Sequence, residues 1–101
     1  MIYRMRTYEG VSENIDAFNA FFLEYLLPSQ LKHGARLVGR WHTESDKIVA
    51  VWEYASRADY LRIEAAVRQD PLTTRARILR ETLPRLYESV EETFMVSTLP
   101  S

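Results

Sequence analysis

The sequence has 101 residues, 47% of them hydrophobic and 27% charged, a balance typical of one globular domain rather than a disordered chain. Its 13 basic and 14 acidic residues give a formal net charge of −1, so charge does not indicate nucleic acid or an anionic membrane as a partner. The absence of cysteine excludes disulfides, thiolate catalysis, iron–sulfur clusters and thiolate zinc sites. No apolar run approaches the ~20 residues of a spanning helix, and we expect a cytoplasmic protein with no membrane partner.

The chain begins with a predicted strand from Met1 to Tyr8, in which side chains of the two faces alternate. Glu9 to Ser12 interrupts this strand, and Ser12 is a suitable N-cap for the helix that follows. Pro28 either kinks that helix or begins a second one, and Gly34 suits a left-handed cap at its end. Apolar positions recur at spacings of three and four, which predicts a buried face containing Ile15, Phe18, Phe22, Tyr25 and Leu26.

The stretch from Leu37 to Tyr54 predicts a β-hairpin and carries both tryptophans. A two-residue loop at Ser45-Asp46 would pair Trp41 with Ala50 across the two strands. In this register, one face of the hairpin contains Leu37, Gly39, Trp41, Thr43, Ile48, Ala50, Trp52 and Tyr54, and we expect it to lie under the helices.

Two further helices and a last strand are predicted in the remaining sequence. Ser56 is placed to cap a short helix, with Asp59 as the second half of a capping box. Asp70-Pro71 predicts an N-cap and a first-turn proline that open another helix, which ends before Pro84. A strand from Arg85 to Ser97 follows. This order predicts a single α+β domain over residues 1–101, with a ferredoxin-like, split βαβ fold and a four-stranded antiparallel sheet.

The sheet face that the helices leave uncovered predicts a surface for self-association. A sheet face in contact with water is usually more uniformly polar than the uncovered face predicted here, which contains several valines. An apolar patch on a sheet usually binds a partner. We therefore expect a homodimer that packs sheet against sheet about a two-fold axis. The predicted contact residues are Val38, Arg40, His42, Val49, Val51 and Glu53. Arg4, Arg6 and Arg40 are assigned to this face, either as ion pairs across the subunit contact or as a cationic site for a carboxylate or phosphate.

Several short motifs stand in an order and at a spacing that together resemble one family. They are Ile2-Tyr3-Arg4-Met5-Arg6-Thr7-Tyr8, Leu27-Pro28, Lys32-His33-Gly34, Leu37-Val38-Gly39-Arg40-Trp41 and Trp52-Glu53-Tyr54, which span about the first 60 residues. The chain thereby resembles the NIPSNAP family, and the Asp70-Pro71 helix extends the resemblance more loosely. The resemblance implies membership of the dimeric α/β-barrel superfamily, in which two ferredoxin-like subunits join through their sheets. Two departures are the short turn at Ser45-Asp46 and Leu72, which stands where an aromatic residue is common.

What the resemblance implies about activity is limited. The eukaryotic members of the NIPSNAP family look like mitochondrial proteins with adaptor or trafficking roles. Relatives in the wider superfamily include cofactor-independent monooxygenases, haem-degrading enzymes, and lyases or isomerases that hold the substrate between sheet and helices. Kinship at the level of the fold is an analogy and assigns no function.

The side chains suited to catalysis are few. His33 and His42 are the only histidines, so one chain cannot form a three-histidine zinc site, and no glycine-rich phosphate loop occurs. We expect no metal and no cofactor. His33 is interpreted either as a cation at a helix end or as a general base at the mouth of a pocket, which makes it the candidate catalytic residue.

A pocket under the helices is the candidate binding site. Its aromatic residues either complete the core or form a pocket wall, and Gly39 would leave space for a flat ligand. The predicted ligand-binding residues are Tyr3, Tyr25, Gly39, Trp41, Trp52 and Tyr54. Three functions stay open: a binding or regulatory module for a small apolar or aromatic molecule, a cofactor-independent monooxygenase or isomerase using the same pocket, and a protein-interaction adaptor without a pocket.

Overall fold

The computed structural model describes residues 1–100 and contains one antiparallel sheet with the strand order β2-β3-β1-β4. The strands are β1 (Ile2–Gly10), β2 (Arg36–His42), β3 (Lys47–Tyr54) and β4 (Tyr87–Met95). The α-helices are α1 (Ile15–Phe21), α2 (Leu27–Lys32), α3 (Arg57–Gln69) and α4 (Pro71–Arg80). The predicted α+β, ferredoxin-like fold is confirmed. Within residues 1–100, none of the helices is long and apolar enough to cross a membrane.

Three of the predicted helix ends are formed by the residues that the sequence indicates. Gly34 has a φ of +100° after α2, which suits glycine because it carries no Cβ. The Ser56 hydroxyl accepts a hydrogen bond from the backbone N–H of Asp59 at 3.1 Å, and Asp70 Oδ1 accepts one from the N–H of Leu72 at 2.8 Å. The prediction for Ser12 is wrong, because its hydroxyl donates to Asp46 Oδ2 at 2.6 Å and caps no helix.

Pro28 leaves the helix continuous but changes its hydrogen bonding. A π-helical segment (Phe22–Leu26) joins α1 to α2, and the N–H of Leu27 donates to the carbonyl of Phe22, five residues earlier. A proline inside a helix has no N–H to offer the carbonyl of residue i−4, and the wider π turn accommodates this loss. The helix therefore reaches His33, where the chain turns into β2.

The hairpin between β2 and β3 differs by one residue from the predicted register. The N–H of Thr43 donates to the carbonyl of Lys47 at 2.8 Å, so the loop contains three residues and ends at Asp46, whose φ is +61°. Trp41 consequently pairs with Val49 rather than Ala50. A one-residue shift moves side chains to the opposite face of the strand. An irregularity between Leu37 and Gly39 restores the expected face for Leu37, which pairs with Trp52.

The change of register corrects the predicted faces of β2, whereas β3 is as expected. Ile48, Ala50, Trp52 and Tyr54 are buried under the helices. Arg40 and His42 pair with Ala50 and Ile48, so they share the helix-covered face and do not belong to the uncovered one. Trp41 lies on the uncovered face and is 52% exposed.

The helix-covered face contains two neighbouring hydrophobic clusters. One is built around Phe18 and Ile48 and includes Ile15, Phe21, Ala76 and Leu86; the other is built around Trp52 and Ile63 and includes Phe22, Ala35, Tyr54 and Val67. Leu26 packs against both clusters. The candidate site described next lies where these clusters meet.

Candidate functional site

A cavity of about 120 Å³ lies between the centre of the sheet and the helices. The sheet contributes side chains from β1 and β3, and the helical layer contributes side chains from the π-helical segment, α2, α3 and α4. The helix residues that line the cavity share one side of their helix, because residues three or four positions apart lie on the same helix face. They are Phe22, Leu26, Ser29 and Gln30. The complete lining is Arg4, Arg6, Tyr8, Phe22, Leu26, Ser29, Gln30, Trp52, Val67 and Thr73.

Arg4 is buried at the sheet side of the cavity with its hydrogen bonds largely satisfied. It is 4% exposed, and its Nε donates to Glu92 while its Nη1 lies 3.5 Å from the Tyr54 hydroxyl. A carboxylate oxygen of Glu64 lies 4.0 Å from the same Nη1. Burial lowers the pKa of Arg4, but the hydrogen bonds that Arg4 donates to Glu92 and Tyr54 outweigh burial and raise it. Arg4 is therefore a firmly charged member of an ion-pair network.

Arg6 lines the same cavity but is less well paired. Its Nη1 lies 3.8 Å from Glu92 Oε1, the oxygen that already accepts from Arg4. Its Nε is buried and has no hydrogen-bond partner within the described chain. The guanidinium also lies 5.3 Å from the centre of the Tyr8 ring. Arg6 thus lines the cavity and carries a buried N–H that has no acceptor within the described chain.

Gln30 supplies a second unpaired polar atom. Its Oε1 is buried and accepts no hydrogen bond from the described residues. The other polar side chains of the helical layer are bound to backbone carbonyls: Ser29 donates to Leu26 at 2.9 Å, and Thr73 donates to Val67 at 2.6 Å. Buried polar groups are usually hydrogen-bonded, so an unpaired donor and an unpaired acceptor on two side chains that line one cavity require explanation.

Arg40 lies outside this cavity, beside the free edge of β2. Its guanidinium lies 4.3 Å from the centre of the Phe22 ring and 4.8 Å from that of Phe18, and its Nη1 donates to Asn19 at 2.6 Å. Burial lowers the pKa of Arg40, and its Nε and Nη2 have no partner among residues 1–100. It lines a more open cleft of about 320 Å³, separated from the first cavity by Phe22, which lines both.

His33, the candidate catalytic residue, is bound to a carboxylate and is absent from the cavity lining. Its Nε2 lies 2.7 Å from Asp70 Oδ2, and the Lys32 ammonium lies 2.9 Å from the same oxygen. Lys32, the N–H of Leu72 and His33 together lower the pKa of Asp70 well below its usual range. This cluster joins the end of α2 to the α3–α4 junction.

The predicted ligand-binding residues are dispersed, and only Trp52 lines the cavity. Tyr54 lies next to it and binds Arg4. Tyr25 stacks on Phe21 with ring centres 5.7 Å apart, and Tyr3 pairs with Glu53 on the uncovered side of β1. Gly39 faces the uncovered side of the sheet, where an added Cβ would meet the Trp41 ring at 2.5 Å. It therefore provides no space for a ligand under the helices.

Sequence reasoning missed Gln30 and assigned Arg4 and Arg6 to the wrong face, because both line the cavity under the helices and do not lie on the uncovered side. Arg4 and Arg6 alternate between Ile2 and Tyr8, and β1 is a central strand of a ferredoxin-like sheet. Two arginines at alternate positions of a central strand, flanked by apolar residues, were the available signal for charges under the helices. For a metal, residues 1–100 contain no cluster of three or more histidine, cysteine or acidic side chains.

The fold and cavity define a ferredoxin-like α+β protein with a partly open, partly cationic space between sheet and helices. A sequence model of the NIPSNAP family matches residues 3–100, and the chain belongs to this family. No curated protein sequence matches it significantly.

Solved structures agree with this assignment. An uncharacterized NIPSNAP domain protein from Burkholderia xenovorans is 23% identical, with a TM-score of 0.83 and full coverage of both chains. A NIPSNAP family protein of unknown function from Agrobacterium tumefaciens is 26% identical, with a TM-score of 0.79 over 94% of this chain and 86% of that one. A putative antibiotic biosynthesis monooxygenase from Nitrosomonas europaea is 13% identical, with a TM-score of 0.67 over 98% of this chain and 100% of that one. At 13% identity the last similarity concerns the fold alone.

Proposed function

We propose that this protein binds a small organic molecule in the cavity between its sheet and its helices. The observation that carries the proposal is a cavity with largely apolar walls, lined by two side chains, Arg6 and Gln30, that each hold a buried polar atom without a hydrogen-bond partner. Apolar walls with a few placed polar groups are typical of small-molecule sites. A ligand that accepts from Arg6 and donates to Gln30 would satisfy both atoms and bury its hydrocarbon body.

The size of the cavity favours a compact ligand. An engineered protein cavity of about 150 Å³ admits benzene, so a space of about 120 Å³ suits a molecule of about six non-hydrogen atoms. The sequence-based expectation of an apolar or aromatic ligand is thereby refined to a small molecule with both an apolar body and polar groups. The adaptor hypothesis assumed a solid core, and the cavity favours binding instead.

Binding is preferred to catalysis because the proposed catalytic residue is engaged elsewhere. His33 forms its hydrogen bond with Asp70 and does not line the cavity. The monooxygenase and isomerase hypotheses required this histidine or a tyrosine hydroxyl to move a proton in the pocket. Tyr8 lines the cavity, but burial raises the pKa of its hydroxyl, so the hydroxyl stays protonated at neutral pH and is not available as a base.

The experiment uses isobutyramide, a neutral amide with six non-hydrogen atoms, followed by backbone NMR shifts. We expect saturable binding with a dissociation constant on the order of 1 mM and shift changes concentrated at the cavity lining. Thr73→Met places a longer, adaptable side chain at the cavity, whereas Thr74→Met changes an exposed neighbour on the same helix. The first variant is expected to weaken binding about tenfold and the second to leave it unchanged. Absence of saturable binding to the wild type, or equal weakening by both variants, would refute the proposal.

We also propose that two copies associate through the uncovered sheet face, with the contact residues corrected for the observed register. Val49, Val51 and Glu53 stay in the predicted contact, Trp41 replaces Arg40 and His42, and Val38 lies at the irregularity of β2 with 54% exposure. Met5 and Met95 belong to the same face because they alternate with the residues under the helices. An exposed tryptophan beside valines supports an apolar contact between two copies.

A further inference from the structure

We propose that the ligand of this cavity is a small monocarboxylic acid with an apolar body, and that Arg6 binds its carboxylate. The inference rests on the proposed function and adds the chemical class of the ligand. It follows from three features of the helix-covered face: carboxylates that are shared among several arginines, an unequal pairing of two neighbouring arginines, and the composition of the cavity wall.

On the helix-covered side, the two arginines at the cavity share two carboxylates unevenly. Arg4, Arg6 and Arg40 lie there, and the carboxylates facing Arg4 and Arg6 are Glu92 and Glu64. Glu64 also lies 3.9 Å from Arg68 at the surface, so its charge is shared further. A partly buried cation without its own counter-ion is costly, and a bound anion would lower that cost.

Among these arginines, Arg6 is the one placed to receive the anion in the cavity. Arg4 also lines it but already donates to Glu92 and reaches Tyr54. Arg40 lies behind Phe22 in the neighbouring cleft. Arg6 combines cavity exposure with a buried Nε that lacks an acceptor. An arginine binds a carboxylate with short, charge-assisted hydrogen bonds, often two at once, which would use this donor.

The wall decides between an organic and an inorganic anion. Phe22, Leu26, Trp52 and Val67 form apolar surface around the cationic end. Phosphate or sulfate could accept hydrogen bonds from Arg6, but its remaining oxygens would lose their hydration against these apolar side chains. A carboxylic acid with a short branched or ring-shaped hydrocarbon body matches both parts of the wall.

The test compares isobutyrate with isobutyramide, which have the same shape and number of non-hydrogen atoms and differ in charge. On the wild-type protein at neutral pH and low salt, we expect isobutyrate to bind about 10- to 100-fold tighter, as measured by NMR titration. Equal affinities would overturn the carboxylate assignment while leaving small-molecule binding intact. Failure of both compounds to bind would overturn the proposed function as well, so the two failures are distinguishable.

Variants then identify which arginine binds the carboxylate. Arg6→Gln is expected to abolish the preference for isobutyrate while retaining amide binding. Arg75→Gln changes an exposed arginine of α4 and is expected to leave the preference unchanged. Arg40→Gln is likewise expected to retain it. If Arg40→Gln removes the preference and Arg6→Gln does not, the anion binds in the edge cleft and the assignment to Arg6 is wrong. The comparison on the wild-type protein stands even if a variant does not fold.

Discussion

Replacing Arg4 and Arg6 by methionine, one at a time, should change stability in opposite directions although both lie on the same face of β1. Methionine approximates the length of the arginine stem and removes the charge. Arg4 would lose a charge-assisted hydrogen bond to Glu92, worth about 1.5–3 kcal/mol. Glu92 and Glu64 would remain 37% and 28% exposed, so water would moderate the cost of leaving them unpaired. We expect Arg4→Met to lower the free energy of unfolding by about 2 kcal/mol.

Arg6 has less to lose and an unpaired donor to remove. Its contact with Glu92 at 3.8 Å joins two partly exposed side chains and is worth about 0.2–1 kcal/mol. The contact with the Tyr8 ring contributes about 0.5–1 kcal/mol. Removal of the buried, unpaired Nε raises the free energy of unfolding by about 1–3 kcal/mol, because its desolvation cost disappears. Taking the middle of each range, the balance is a gain of about 0.5 kcal/mol for Arg6→Met, together with loss of the preference for a carboxylate ligand.

Urea unfolding of the two variants and the wild type measures these differences at one fixed protein concentration, because self-association would alter apparent stability. Arg75→Met, at an exposed position of α4, is the control and should stay within about 0.5 kcal/mol of the wild type. A loss of stability for Arg6→Met as large as that for Arg4→Met would contradict the assignment of an unpaired donor to Arg6. Such a result would mean that Arg6 is fully satisfied by the protein and is not held ready for a ligand.

Other predictions concern the ends of the helices and the uncovered face. Because the pKa of Asp70 is lower in the folded protein than in the unfolded chain, its stabilising contribution is present above about pH 4 and is lost as the pH falls further. Asp70→Asn should therefore destabilise the protein at pH 7 and flatten the acid limb of a stability–pH curve; an unchanged acid limb would contradict this. Ser56→Ala should cost about 1 kcal/mol in urea unfolding, and no measurable cost would mean that its hydrogen bond to Asp59 contributes nothing. Trp41→Ser should weaken self-association in sedimentation analysis, and unaltered association would exclude the uncovered face as the contact.

The order of the elements was predictable because each helix end and the buried strand carry strong local signals. Ser56, Asp70 and Gly34 form caps for reasons that act within a few residues, and β3 alternates without interruption between buried and open positions. Such signals depend on local backbone geometry and burial, which sequence spacing encodes directly.

The site was less predictable because it depends on pairing between strands. The three-residue loop ending at Asp46 shifts β2 by one position, and this shift alone moves Trp41 to the uncovered face and Arg40 under the helices. No local feature distinguishes a loop of two residues from one of three in Glu44-Ser45-Asp46. The placement of Arg6 under the helices was also unpredictable, because charged side chains are expected at the protein surface unless the sequence indicates a partner for them.

The Nε–H resonance of Arg6 reports whether its guanidinium binds an acid in the cavity. In ¹⁵N-labelled protein this signal is assigned by its loss in Arg6→Lys and is followed while isobutyrate is added. We expect a saturable shift of the Arg6 Nε–H resonance that parallels the shifts of the cavity lining, with the Arg40 resonance unaffected. An Arg6 signal that stays unchanged at saturating isobutyrate would mean that Arg6 does not bind the acid.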